Sequence, residues 1–136
     1  ITIEKMSERV EEAKSNIKYA NMGKRANIVE GDAGKVLEEL VKANEKFDFI
    51  FIDAAKAQYI TWLPMVKALL KDSGMIFSDN CLQEGDLLES SFAIRKRDKT
   101  IHKRMREYIY LLLHDEDLES WIFSIGDGVL LSKSRR

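Results

Sequence analysis

The fold is decided by one short stretch, residues 47–53 (FDFIFID), in which a run of large apolar side chains ends in a carboxylate. The run is too short for a buried helix and too continuous for a strand with one solvated face. It therefore predicts a central parallel strand that is covered on both faces. In an open α/β sheet the carboxyl ends of the strands line the ligand crevice, and Asp53 stands at such an end. A second predicted strand, residues 74–78, ends in Asp79 and Asn80, so we expect these oxygen-bearing side chains to share one crevice.

The segments around this stretch alternate between the residue patterns of strands and helices. Short strands are expected at residues 1–4, 26–30 and 74–78, and helices at residues 6–21, around 36–41, at 59–70 and at 98–114. Two apolar runs, residues 121–125 and 129–132, flank a Gly-Asp-Gly turn and predict a closing β-hairpin. This order predicts an α/β fold with a mostly parallel sheet.

Glycines and a single proline mark the expected ends of several elements. Gly23 suits the end of the first helix, and residues 72–74 are expected to turn the chain into the strand that follows. Pro64 is expected near the first turn of its helix, because a proline deeper in a helix removes a backbone hydrogen bond. Residues 85–91 are expected to form a loop or a broken helix.

The composition is that of an ordinary globular protein. The 136 residues suit a single domain, with 45% hydrophobic and 33% charged residues and a net charge of −1. That charge gives the chain as a whole no field that demands nucleic acid or a membrane. Its one cysteine, Cys81, excludes an internal disulfide and fits a reducing compartment. Since the sequence contains no signal peptide and no long apolar stretch, we expect a soluble cytoplasmic protein.

One segment departs from this charge balance. Within twelve residues one side chain, Asp98, is acidic and seven are basic, namely Arg95, Lys96, Arg97, Lys99, Lys103, Arg104 and Arg106. A solvated helix face is the ordinary interpretation of such a run. The clustering is also typical of a phosphate-binding patch, which makes Arg95, Lys96 and Arg97 candidate RNA contacts.

Four segments together resemble a known family. They are FIDAAKAQY (residues 51–59), SDN (78–80), the segment 100–108 around Met-Arg-Glu, and IGDG (125–128). In this order they resemble the cation-dependent O-methyltransferases, which include catechol and caffeoyl-CoA O-methyltransferases and a bacterial tRNA 5-hydroxyuridine methyltransferase. The likeness runs from Ile1 to nearly the last residue. It implies a Rossmann-like class I methyltransferase sheet, S-adenosylmethionine as the cofactor, a divalent cation such as Mg²⁺, and a homodimer.

The resemblance implies a metal site and a base. Asp53, Asp79 and Asn80 match the metal ligands of the family, and Lys56 matches its general base. Carboxylate and amide oxygens suit Mg²⁺, which would lower the pKa of a chelated substrate hydroxyl so that Lys56 can remove its proton. The plainer interpretation is that Asp and Asn at strand ends only cap the helices or turns that follow.

The resemblance also implies three further contacts with the cofactor. Glu4 matches the acid that holds the ribose hydroxyls, and Asp32 and Ala33 match the turn around the adenine; Asp53 is counted with these cofactor-binding residues as well. Each has a plainer interpretation, because acids are common on surfaces and an Asp before a helix is a frequent N-cap.

The chain departs from the family at its start. The family carries a glycine-rich loop after its first strand, and that loop precedes the position of Glu4. We therefore expect this chain to be a fragment, the C-terminal portion of a methyltransferase domain. The first strand lies between the second and fourth strands in that fold, so its absence is expected to leave a gap in the sheet.

The acceptor and the class of protein remain open at this point. The basic run favours tRNA, in which a 5-hydroxyuridine offers adjacent oxygens for chelation, and the alternative is a small catechol-like molecule. A phosphoacceptor receiver domain also has a central strand ending in Asp. It requires an acidic pair after its first strand and a lysine after its fifth, and neither is found. The last alternative is a non-catalytic remnant that binds metal or forms a dimer.

Overall fold

The computed structural model describes residues 1–82 and 99–136, which form two compact units, Ile1–Glu45 and Lys46–Arg136. The candidate RNA contacts Arg95, Lys96 and Arg97 lie outside the described residues, as does the predicted loop at residues 85–91. In the described ranges, no helix has both the length and the apolar composition needed to cross a membrane.

The first unit has two strands and two helices in alternation. In chain order they are β1 (Thr2–Glu4), α1 (Ser7–Tyr19), β2 (Ile28–Glu30) and α2 (Ala33–Lys42). The strands pair in parallel, with Glu4 opposite Glu30. Parallel strands joined through a helix are the expected βαβ connection, so the alternation predicted from sequence is confirmed here.

Asparagine, rather than glycine, ends both helices of this unit. Asn21 and Asn44 each have a φ of 56°, in the left-handed region. After α1 the N–H of Met22 donates to the carbonyl of Ile17 at 2.9 Å, and that of Asn21 to Lys18 at 3.1 Å. This is the hydrogen-bond pattern of a Schellman motif, in which Asn is the common substitute for Gly. The expectation that Gly23 ends α1 is therefore wrong by two positions.

The second unit is built on a four-stranded sheet. Its elements are β3 (Phe47–Ile52), a 3₁₀ turn (Lys56–Gln58), α3 (Tyr59–Leu69), β4 (Leu70–Ser78), α4 (Lys99–Leu113), β5 (Leu118–Phe123) and β6 (Val129–Ser134). The strand order is β3-β4-β6-β5, in which β3 and β4 are parallel while β6 is antiparallel to both neighbours. The predicted α/β fold with a C-terminal antiparallel hairpin is confirmed, and the sheet is mixed.

The core of the second unit lies between one face of the sheet and the helices α3 and α4. Ile52, Ile76 and Leu130 point into it from the strands. Tyr59 of α3 and Tyr108 of α4 are fully buried there, and their rings meet edge to face with centroids 5.4 Å apart. The packing of these aromatic rings brings the start of α3 against the ends of the central strands.

The prediction that the central strand is covered on both faces is wrong for this chain. Phe49 is 53% exposed and Phe51 is 55% exposed. Successive side chains of a strand point to opposite faces, and within the second unit the helices pack on the face that carries Ile52. The opposite face stays apolar, with Phe49 opposite Met75 and Phe51 opposite Phe77.

Two local expectations around α3 also need correction. Pro64 is the sixth residue of α3 rather than a first-turn residue, because the helix begins directly after the 3₁₀ turn. The turn expected at residues 72–74 lies within the bounds of β4, where Ser73 has a φ of 59°. Phe47 of β3 pairs with Leu70, but Phe49, two residues later, pairs with Met75. The extra residues of β4 between these two pairs form an irregularity in the strand at the position of the predicted turn.

Candidate active site

The ends of β3 and β4 lie side by side and carry the oxygen-bearing residues singled out from the sequence. Ile52 is opposite Ser78 in the parallel register, and the N–H of Asp79 donates to the carbonyl of Ile52 at 3.0 Å. Asp53 follows the first strand directly, and Asp79 and Asn80 follow the second. Parallel register therefore brings these residues to one sheet end, as expected from sequence; their role in metal binding stays a prediction.

The ammonium of Lys56 lies among oxygens from both strand ends. Its Nζ is 3.0 Å from Asn80 Oδ1, 3.2 Å from the carbonyl oxygen of Asp79 and 3.5 Å from Asp53 Oδ1. The side chain is only 20% exposed, while that of Asp53 is 55% exposed. The lysine is thus a partly buried cation whose oxygen partners are the residues that follow β3 and β4.

Tyr59 holds this arrangement together, and the sequence reasoning did not single it out. Its hydroxyl donates to the carbonyl of Ile52 at 3.0 Å and accepts from the N–H of Ala54 at 3.1 Å and from Lys56 Nζ at 3.0 Å. Burial raises the pKa of this phenol, so it remains protonated and keeps its donor. The available signal was its position three residues after Lys56, at the start of a helix, where both side chains face the same way.

Asn80 has a left-handed backbone conformation, and both the oxygen and the nitrogen of its side-chain amide make hydrogen bonds. Its φ of 51° is in the left-handed region, which Asn tolerates better than most residues. The backbone N–H donates to Asp79 Oδ1 at 2.7 Å, and the amide nitrogen donates to Asp127 Oδ2 at 3.3 Å. Asp127 therefore orients the amide so that its oxygen faces Lys56.

Tight packing holds the hairpin turn that carries Asp127. Gly126 and Gly128 have φ values of 55° and 82°. A Cβ at Gly128 would lie 2.2 Å from Cγ of Leu82, and the Cys81 and Leu82 N–H groups both donate to the turn at 2.8 Å. The predicted Gly-Asp-Gly turn is confirmed, with both glycines at positive φ, and hydrogen bonds anchor the turn to the chain that follows Asn80.

The cofactor-site candidates of the first unit share the end of its two-stranded sheet. Oε1 of Glu4 accepts from the N–H groups of Lys5 at 2.7 Å and Met6 at 2.9 Å. The Met6 hydrogen bond is the main reason that the pKa of Glu4 is lowered, with Arg9 adding a smaller effect. One carboxylate oxygen is thus occupied by the backbone, and the carbonyl of Glu4 accepts from Gly31 at 2.9 Å.

Asp32 is the N-cap of α2, and Ala33 is the first residue of that helix. Its Oδ1 accepts from the N–H of Gly34 at 3.1 Å, and its Oδ2 is 3.5 Å from Lys5 Nζ. The pKa of Asp32 is lowered, chiefly by a backbone hydrogen bond from Lys35 and also by Lys5. The plainer interpretation of Asp32 as a helix cap is confirmed, and its contact with adenine stays a prediction.

The oxygens around Lys56 have the chemistry of a hard-cation site. Among the described residues no three His, Cys, Asp or Glu side chains cluster as metal ligands. The set expected here, however, has an amide as its third member. Oxygens of Asp53 and Asn80 already converge on one cation, the lysine ammonium. These side chains fit a divalent cation bound by oxygen, such as Mg²⁺.

Sheet and site together define an α/β protein with its functional groups at the carboxyl ends of parallel strands, where ligands bind in such folds. The O-methyltransferase family profile matches residues 1–135. The chain belongs to the O-methyltransferase family.

Individual relatives agree with this assignment. The chain is 34% identical to a caffeoyl-CoA O-methyltransferase of Citrus natsudaidai over 121 residues, which is 86% of this chain and 52% of that protein. It is 29% identical to tapetum-specific methyltransferase 1 of Arabidopsis thaliana, over 86% of this chain and 51% of that protein. The chain thus spans about half the length of the curated relatives it matches.

Solved structures share the fold. A protein of Staphylococcus aureus described as a candidate caffeoyl-CoA O-methyltransferase superposes with a TM-score of 0.84 at 27% identity, over 98% of this chain and 63% of that one. An O-methyltransferase of Bacillus cereus, solved with S-adenosylhomocysteine, gives a TM-score of 0.86 at 23% identity, over 98% of this chain and 61% of that one.

Proposed function

We propose that this chain is part of an S-adenosylmethionine-dependent O-methyltransferase that methylates a metal-chelated hydroxyl. The observation that carries the proposal is the position of Lys56, whose Nζ lies within 3.5 Å of oxygens from the residues that follow both β3 and β4. Membership of the O-methyltransferase family supplies the reaction class.

In this proposal Asp53, Asp79 and Asn80 would hold a divalent cation. The cation would lower the pKa of a substrate hydroxyl that is bound to it. Asp127 orients the Asn80 amide through the bond to its nitrogen, which leaves the amide oxygen for the cation. Lys56, in its neutral form, accepts the hydroxyl proton at Nζ, and Tyr59 holds that nitrogen in place.

The cofactor is assigned to Glu4, Asp32, Ala33 and Asp53. The second carboxylate oxygen of Glu4 accepts no backbone hydrogen bond and lies 3.9 Å from Arg9 Nη1, and we propose that it also binds the ribose hydroxyls. The N–H groups at the start of α2 lie beside Asp32 and Ala33, at a sheet end where nucleotides commonly bind. When bound there, the cofactor would supply the methyl group that the substrate oxygen accepts, and these residues would contribute positioning more than covalent chemistry.

We further propose that the chain is the C-terminal portion of a larger domain and that a preceding strand pairs with β3. Among the described strands β3 is the edge of its sheet, and its exposed face carries Phe49 and Phe51. Buried apolar strands of this composition are usually covered on both faces. A preceding strand and helix would satisfy the free backbone groups of β3 and cover these rings.

For the acceptor we propose a molecule with two adjacent oxygens. A hydroxylated tRNA base such as 5-hydroxyuridine is favoured by the basic run that includes Arg95, Lys96 and Arg97. A small catechol-like acceptor is favoured by the name of the Citrus relative. A homodimer and a cytoplasmic location belong to the same proposal.

Calorimetric titration of S-adenosylmethionine tests the central proposal. The chain and a form extended upstream would each be titrated with and without Mg²⁺. We expect tighter binding by the extended form than by this chain. Binding by neither form would contradict a methyltransferase and favour the non-catalytic remnant.

Acceptor choice is tested separately with the extended form. Methyl transfer from labelled cofactor would be compared between hydroxylated tRNA and a catechol. Transfer to tRNA that is lost after charge reversal at Arg95 and Arg97 supports the RNA acceptor, whereas transfer to catechol alone supports the small molecule.

A further inference from the structure

A second basic segment lies in the first unit, away from the run at residues 95–106. Between Ala13 and Val29 the sequence contains four basic side chains and no acidic one; the basic ones are Lys14, Lys18, Lys24 and Arg25. On a chain with a net charge of −1, such a stretch concentrates positive potential locally.

The fold bends this segment around a cleft. The end of α1, the Schellman turn after it and the approach to β2 border an open cleft of about 820 Å³. All four cations line it, and no acid does. Ile17 and Ile28 are half-buried in its wall, so the cleft combines an apolar floor with a cationic rim.

Most of this positive charge is available to a ligand. Lys14 pairs with Glu11 at 2.8 Å, outside the lining of the cleft. Among residues 1–82 and 99–136, no ion pair includes Lys18, Lys24 or Arg25. All three side chains are exposed, which leaves three cations without a carboxylate at one cleft.

An exposed aromatic ring accompanies these cations. Tyr19, the last residue of α1, is 91% exposed, the highest value among the exposed large apolar side chains of residues 1–82 and 99–136. It directly follows Lys18 and precedes the turn that carries Lys24 and Arg25. Tyr19 itself is not among the residues that line the cleft, but it lies in the chain between Lys18 and Ala20, which are. An exposed ring at the edge of a cationic cleft is an arrangement on which nucleic-acid bases stack while their phosphates are neutralised.

We propose that this cleft binds single-stranded nucleic acid. Lys18, Lys24 and Arg25 contact backbone phosphates, and Tyr19 stacks on a base. An acidic peptide would use the cations but leave Tyr19 without a role. An anionic membrane surface is disfavoured because the site is a cleft rather than a protruding apolar face. The proposal does not depend on methyl transfer.

Fluorescence anisotropy with a labelled 12-nucleotide oligouridine tests the proposal on the full chain in the absence of cofactor. The test variant is Lys18→Glu/Lys24→Glu, and the matched control is Lys35→Glu/Lys42→Glu, which makes the same charge change on exposed lysines of α2. We expect the test variant to lose at least tenfold in affinity at low salt. The slope of log K against log salt should fall in magnitude by about 1.4, since each phosphate contact on a single strand contributes about 0.7.

A second variant separates stacking from charge. Tyr19→Ala should weaken binding by roughly tenfold without changing the salt slope, because stacking on an aromatic ring contributes about 1–3 kcal/mol per base. Circular dichroism of each variant checks that the fold is retained.

Three results would overturn the proposal. One is equal loss of affinity in the test and control variants. Another is an unchanged affinity in the test variant. The third is tighter binding of a polyglutamate peptide or of phosphatidylserine vesicles than of the oligonucleotide.

Discussion

At the scale of single residues, Tyr59 connects the candidate site to the core. One hydroxyl links the last carbonyl of β3, the N–H of Ala54 and the ammonium of Lys56. The ring itself is fully buried against Tyr108. Packing of the core therefore fixes the position of the lysine that is proposed to act on the substrate.

Tyr59→Phe should destabilise the chain by roughly 1–3 kcal/mol, because it leaves the Ala54 N–H without its partner and removes one of the two hydrogen bonds to the Ile52 carbonyl, while the ring is kept. Urea denaturation measures the change. Tyr19→Phe is the control, since its ring is 91% exposed and we expect no measurable effect. Equal stability of the two variants would contradict the anchoring role of Tyr59.

Substitutions at Lys56 and Asp79 should have different effects on Mg²⁺ binding by the extended form. Asp79→Ala should weaken Mg²⁺ binding and abolish turnover, because it removes a proposed ligand. Lys56→Ala should reduce turnover while Mg²⁺ still binds, because its cation competes for the same oxygens rather than providing one. Calorimetry with Mg²⁺ alone supplies the comparison. Loss of Mg²⁺ binding in Lys56→Ala would contradict the assignment of Lys56 as a base.

At the scale of elements, the β5–β6 turn shows how two glycines of similar φ can differ in cost. A Cβ at Gly128 would meet Leu82 at 2.2 Å, whereas a Cβ at Gly126 meets nothing within 4 Å. Gly126→Ala should therefore cost only the left-handed backbone strain, about 1–2 kcal/mol.

Gly128→Ala should cost the same strain plus that of an overpacked contact, about 1–3 kcal/mol more. Thermal unfolding of the two variants measures the cost of the contact with Leu82, because the cost of placing alanine in the left-handed region is shared by both variants. A melting temperature for Gly128→Ala that is equal to or above that of Gly126→Ala would show that Leu82 moves aside freely.

The Asp32 carboxylate at the start of α2 should make the folding stability of the chain depend on pH. The pKa of Asp32 is lower in the folded chain, so its contribution is present above the unfolded pKa of about 4 and is lost as pH falls through the folded value. Asp32→Asn keeps a capping side chain but removes the charge. The difference in stability between this variant and the parent chain should therefore shrink as the pH is lowered below about 4. Asp32→Ala should be less stable than Asp32→Asn at every pH. Melting temperatures from pH 2.5 to 7 test both statements.

At the scale of the whole molecule, the most informative feature is an apolar sheet face in the second unit. Phe49, Phe51, Met75, Trp121 and Phe123 are all at least 38% exposed there. Patches of this kind mark surfaces that another segment covers. In the proposed arrangement such a segment corresponds to the part of the relatives that this chain does not match, since the match spans about half of their length.

Phe49→Ser/Phe51→Ser distinguishes a covered face from an exposed one. In this chain the double variant should bind less of a hydrophobic dye and change stability little, because both rings are already half in water. In the extended form the same change should destabilise by several kcal/mol, as expected for buried aromatic side chains. Tyr19→Ser is the exposed control in both forms. Equal effects in the two forms would contradict coverage of this face by the preceding segment.

Much of the architecture followed from local patterns. The apolar run at residues 47–52, the helical spacing of α1, α3 and α4, and the glycine turn before β6 each depend on neighbours a few residues apart, so their positions were predicted within a few residues. The residues at the strand ends followed as well, since parallel strands bring their carboxyl ends to one edge.

Contacts between distant segments did not follow. The Tyr59 hydroxyl on the carbonyl of Ile52, the Asp127 bond to Asn80 and the exposure of Phe49 depend on which segments meet in three dimensions. The sequence by itself determined the order of strands and helices, the family and the residues at the strand ends, because periodicity and motif are local. Only the tertiary structure decided which groups orient Lys56 and which sheet face remains open, because burial and hydrogen bonding are properties of the packed chain.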